Sequence, residues 1–64
     1  MKHDYSKEII VVNDNKVVFR GTAQKFIEIN SNDEVVTGIV DEALLHSGYE
    51  IEFIGSGKWE ILIA

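Results

Sequence analysis

The feature that most constrains the fold is the alternation at the C-terminus. "YEIEFI" (Tyr49–Ile54) and "KWEILIA" (Lys58–Ala64) alternate apolar and polar residues, with "GSG" (Gly55–Gly57) between them. A period of two sends successive side chains to opposite faces of a strand. A three-residue loop over Gly55–Gly57 sets Phe53 opposite Trp59, Ile51 opposite Ile61 and Tyr49 opposite Ile63, so these six share a face. A two-residue loop would oppose Phe53 to Glu60, so the apolar pattern selects the longer one. The other face carries Glu50, Glu52, Ile54, Lys58, Glu60, Leu62 and Ala64. A sheet apolar on one face must bury it against another layer.

The cover for that face is written in "NDEVVTGIVDEALLHSG" (Asn32–Gly48). On a helical wheel Val35, Val36, Ile39, Val40, Ala43 and Leu44 form the inner half, and Glu34, Thr37, Gly38, Asp41, Glu42 and Leu45 the outer half. "SND" (Ser31–Asp33) offers N-caps, Glu34 suits the positive end of the helix dipole, His46 lies in the last turn, and Gly48 is placed to stop the helix.

Ahead of it, "EIIVV" (Glu8–Val12), "NDN" (Asn13–Asn15) and "KVVFR" (Lys16–Arg20) read as a first hairpin. A three-residue loop pairs Val11 with Val17, Ile9 with Phe19 and Glu8 with Arg20; a two-residue loop also leaves apolar pairs, so pattern alone leaves the register open. "TAQKFIEIN" (Thr22–Asn30) is expected as a short helix capped by Thr22, with Ala23, Phe26, Ile27 and Asn30 on one face; a third strand is the rival. Residues 1–7 are polar and expected as a flexible tail, with 8–64 as one domain.

The fold class expected is α+β: a two-layer sandwich, ββ(α)αββ, with a four-stranded, mostly antiparallel sheet and one main helix on one face. This order of elements resembles that of the small β-grasp immunoglobulin-binding domains. The resemblance is topological, and no motif carries their activity across. The first hairpin does not suit a sheet with one bare face. If Ile9, Val11, Val17 and Phe19 point inward, Ile10, Val12 and Val18 point out, joined by Ile54 and Leu62. Continuously apolar strands are usually buried on both sides. These five are therefore the candidate contact set for a second copy or a partner, although scattered exposed aliphatics are also ordinary.

Composition narrows the function. The 64 residues include no Cys, so disulfides and a thiolate zinc site are excluded, and a chain this short needs a well-packed core or a partner subunit. Eleven acids against six bases give a net charge of −5, which disfavours unaided attraction to nucleic acid or anionic membrane. No apolar run approaches the ~18 residues of a membrane span, and "MKHDYSKE" lacks the apolar core of a secretory signal. A cytoplasmic location is the expectation.

Candidate chemistry is sparse. His3 and His46 are far apart in sequence. Glu50, Glu52 and Glu60 could gather on the sheet, but a solvated face explains them better than an acid–base pair. "GSGK" (Gly55–Lys58) lacks the rest of a phosphate loop and reads as a turn. No catalytic residue, metal ligand or cofactor is expected. The chain reads as a small acidic protein-interaction module. It would regulate or inhibit a larger protein by binding, as products of phages and other mobile elements do, and would form a homodimer. Its candidate partner stripe on the long helix is Glu34, Gly38, Asp41 and Leu45. The alternative is a nucleic-acid-associated regulator using Lys16, Arg20 and Lys25 as a local basic patch.

Overall fold

The computed structural model describes residues 3–64; Met1 and Lys2 of the expected tail lie outside the described residues. The elements are β1 (Glu8–Asn13), β2 (Lys16–Thr22), α1 (Ala23–Ile29), α2 (Glu34–His46), β3 (Tyr49–Phe53) and β4 (Gly57–Ile63). One four-stranded sheet has the order β2-β1-β4-β3, and every neighbouring pair is antiparallel. The α+β class and the two-layer arrangement read from the sequence are therefore those of the structure.

The parity of the helical crossing explains the strand directions. A single helix between the hairpins would deliver the chain to the opposite end of the sheet and make the central pair parallel. Here α1 runs out and α2 runs back, so β3 starts at the end where β2 finished and β4 runs antiparallel to β1. The likeness to the β-grasp order stops at the sequence of elements.

The helix termini show why these segments are helical. Thr22 caps α1, its Oγ1 accepting from the Lys25 N–H at 3.1 Å. The two preceding N–H groups are satisfied by the N-terminal segment: Ala23 donates to the Lys7 carbonyl and Gln24 to the Tyr5 carbonyl, both at 2.9 Å. Asp33 is the residue of "SND" that caps α2; its Oδ1 accepts from Val35 and Val36 N–H at 2.8 and 3.2 Å. At the other end Ser47 takes the left-handed conformation, with φ 60°, one residue before the glycine expected to stop the helix. Gly48 donates to the Ala43 carbonyl at 2.8 Å, closing the last turn.

Ile9, Val11, Ala23, Ile27, Val40, Ala43 and Ile61 form the buried centre, ringed by Phe19, Phe26, Val36, Ile39, Leu44, Tyr49, Trp59 and Ile63. Phe19 and Phe26 pack with ring centroids 5.0 Å apart, tying α1 to β2. The expected inner half of α2 holds with one correction. Val35 is 58% exposed, because its direction falls outside the arc centred on Val40 and Ala43.

The first hairpin, whose register the sequence pattern leaves open, takes the two-residue loop, and the second differs from expectation. In the first, Asp14 and Asn15 have φ of 48° and 68°, so they alone make a two-residue turn. Asn13 pairs with Lys16, Val12 with Val17, Val11 with Phe19 and Glu8 with Thr22, not Arg20. Val18 is an extra residue where the register shifts, a β-bulge. Val17 therefore leaves the core side and is 61% exposed. In the second hairpin the three-residue loop sits one residue earlier, over Ile54–Ser56. Phe53 faces Gly57, Ile51 faces Trp59 and Tyr49 faces Ile61. A displacement by two preserves the parity of the strand, so the expected division between faces survives.

The two turns are fastened to each other. Asp14 N–H donates to the Lys58 carbonyl at 2.9 Å, Lys58 N–H returns a bond to Asp14 Oδ1 at 3.0 Å, and Asn13 Nδ2 donates to the Ser56 carbonyl at 3.0 Å. This clasp extends the β1–β4 pairing beyond the strands.

Candidate interaction surfaces

The helices cover one side of the sheet, and the other side is bare. On the bare side the pairing gives the layout directly. Arg20, Ile10 and Leu62 form one row across β2, β1 and β4. Val17, Val12, Glu60 and Glu50 form the next, running on to β3. Lys58 and Glu52 form a third. The result is an apolar stripe of Val17, Val18, Val12, Ile10 and Leu62 centred on β1. Val17, Val18 and Leu62 are 61%, 53% and 44% exposed, so most of the stripe meets water.

Four of the five residues expected on this face, Ile10, Val12, Val18 and Leu62, are thus brought together. Ile54 is not: it stands at the β3–β4 turn, wholly exposed and beyond the last paired residues. Val17, which faces inward only with a three-residue loop, belongs to the stripe. The signal was present, since "DN" offers two consecutive residues tolerant of positive φ.

The flanks of the stripe differ in charge. Arg20 lies on the β2 side and has no carboxylate within ion-pair distance among the described residues. On the far side Glu50 and Glu60 face each other in register, a like-charge pair that sheets avoid. A shallow hollow beside them is lined by Ser47, Gly48, Tyr49, Glu50, Glu60 and Leu62. Lys58 Nζ reaches Glu50 Oε2 at 3.0 Å, and the bond raises the Lys58 pKa. Glu52, the third acid of this strand pair, faces Lys58.

The stripe proposed on α2 is divided. Asp41 is engaged, accepting the Tyr5 hydroxyl at 2.7 Å, and that bond raises the Tyr5 pKa. Its engagement comes from the N-terminal segment folding back over α1 and α2, a contact with no sequence signature. Gly38 is open, with no atom within 4 Å of where a Cβ would stand, so no backbone approaches it. Glu34 and Leu45 are exposed, and Val35 joins them as an exposed aliphatic at the start of the helix.

A cleft of about 210 Å³ lies between the layers at the turn end, lined by Phe26, Val36, Ile39, Phe53, Trp59 and Ile61. Asn30 and Ser56 are its polar lining residues, and Asn30 is already spent on the Phe26 carbonyl at 2.8 Å. No ionisable group lines it. His3 Nε2 approaches Asp41 at 3.9 Å and His46 Nε2 approaches Glu42 at 3.3 Å, at different places on the helix. The basic residues of the alternative reading are not gathered. Arg20 is on the bare side, Lys25 on α1 on the covered side, and Lys16 beside the first turn. No described helix is long and apolar enough to cross a membrane.

No family model matches the chain, and none of the curated proteins or solved structures compared with it gives a match.

Proposed function

We propose that the protein is a small acidic protein-interaction module that regulates a larger protein, of the kind a phage directs at its host, by binding and not by catalysis. The observation that carries this reading is the uncovered stripe of Val17, Val18, Val12, Ile10 and Leu62. Burying an aliphatic side chain is worth roughly 1.5–3 kcal/mol when complete. A small chain leaving that much apolar surface in water, on a rigid sheet, has a surface suited to association. A second copy and a larger partner can each use such a face, and the homodimer is part of the proposal.

The test compares two baits, the wild type and Val12→Lys, which plants a charge at the centre of the stripe. Circular dichroism confirms that both are folded. A partner retained by the wild type and lost by Val12→Lys supports the reading. Identical partners on both baits, or none on either, overturn it.

A further inference from the structure

The bare face is complementary to itself, and we infer that a second copy docks on it about a two-fold axis running along β1, with Arg20 of each copy entering the acidic hollow of the other. The inference rests on the reading of that face as an association surface and names its occupant.

The argument starts from symmetry. A two-fold interface sets one patch against its own image, so residues on the axis meet themselves and the flanks exchange. The stripe is centred on β1, with β2 on one side and β4 on the other. Rotation about β1 lays Ile10 and Val12 against their images and carries β2 of one copy over β4 of the other. Arg20 and Leu62 occupy one row on either side of Ile10, so Arg20 of one copy lands over Leu62 of the other.

From there an Arg20 side chain extended away from β1 reaches beyond β4 toward β3 of the other copy. There lies the hollow, lined by Gly48, Glu50, Glu60 and Leu62 among others. Its walls include Glu60 and Glu50, opposed in register. A cation between them relieves a repulsion that the single copy leaves partly uncompensated, since Lys58 reaches only Glu50. Arg20 in turn has no carboxylate partner of its own among the described residues. Its aliphatic stem would lie on Leu62 while its head is paired. The unmatched cation and the unmatched acid thus sit on opposite flanks of one apolar stripe, at positions that a single rotation exchanges.

The face is small. Strand spacing and rise give about 300 Å² per copy over the stripe and its flanks, well below the ~800 Å² per partner of a standard interface. The pair is therefore weak and concentration-dependent, and a larger partner can displace the second copy.

The experiment is sedimentation of the full chain from about 10 μM to about 1 mM, the range over which weak interfaces assemble. The expected mass rises from 7.2 kDa toward twice that value. Arg20→Glu and Glu60→Arg should each weaken association roughly tenfold, by turning two symmetry-related attractions into repulsions. The double charge swap should recover it. Arg20→Met, which keeps the stem and drops the charge, covers the case in which a reversal disturbs the strand, and it too should weaken the pair. A mass near 7.2 kDa throughout overturns the inference. So does a dimer indifferent to Arg20→Glu and Arg20→Met, or a swap that fails to restore. The outcomes separate from those above: a monomer whose Val12→Lys variant still loses a larger partner sinks the second copy and spares the function. A charge-sensitive dimer with unchanged bait partners does the reverse.

Discussion

Replacing Gly57 with alanine should cost about 2–3 kcal/mol, and the structure says where the loss comes from. Gly57 closes the β3–β4 turn at φ +87°, outside the range an L side chain enters freely. Holding alanine there costs about 1–2 kcal/mol. A Cβ on Gly57 would also overlap the carboxylate of Asp14, which clasps the two turns by accepting the Lys58 N–H. Pushing that carboxylate aside loses a hydrogen bond worth about 1 kcal/mol. Stability for 64 residues is about 3–10 kcal/mol, so the loss is large and lowers the melting temperature by ~10–20 °C. Urea denaturation of Gly57→Ala, Asp14→Ala and the double variant checks both parts. Asp14→Ala alone should cost about 1–2 kcal/mol, through the lost bond and the strain of alanine at φ 48°. The double variant has no carboxylate left to displace, so it should cost about 1 kcal/mol less than the sum of the two single changes. A Gly57→Ala change within about 0.5 kcal/mol of wild type, or strict additivity in the double variant, would refute the reasoning.

Three further outcomes follow from the helices and the N-terminal segment. Gly38→Ala should stabilise by about 0.5–1 kcal/mol, since alanine favours the helix and its Cβ enters open space; a loss in thermal denaturation would refute that the space is open. Asp33→Ala should cost about 1 kcal/mol in urea, through the bonds to Val35 and Val36 N–H. Tyr5→Phe should cost about 1 kcal/mol at neutral pH by removing the bond to Asp41. Because that bond raises the Tyr5 pKa in the folded state, its contribution is fully present below about pH 10 and is lost as pH rises through the folded value. Urea midpoints at about pH 8 and pH 11 should therefore converge for wild type and Tyr5→Phe at the higher pH.

The parts of the fold legible in the sequence were those with a single strong period. The alternation of Tyr49–Ile63 assigned the faces of β3 and β4 correctly even with the loop displaced, because a shift of two residues leaves parity intact. The spacing of Val36, Ile39, Val40, Ala43 and Leu44 gave the buried side of α2. Thr22 and Asp33 announced the helix starts through their side-chain oxygens. The first hairpin was less legible for a physical reason: Ile9–Val12 and Val17–Phe19 are apolar at every position, so a shift of one residue costs the pattern nothing. Backbone conformation at Asp14 and Asn15 decides it, and the bulge at Val18 then restores Phe19 to the core side. The engagement of Asp41 by Tyr5 depends on how a polar segment folds back across two helices, which no local period encodes. Of the two surfaces, the sheet stripe includes Val17 and not Ile54, while on α2 Glu34, Gly38 and Leu45 are free positions and Asp41 is held by Tyr5.

The central structural claim is that a second copy docks on the bare face of the sheet. Amide and methyl NMR shifts followed against protein concentration test it most directly. Resonances of Ile10, Val12, Val18, Arg20 and Leu62 should move together as concentration rises, while Val35, Gly38 and Leu45 on the outer side of α2 stay still. Movement confined to α2, or none on the sheet up to about 1 mM, would contradict it.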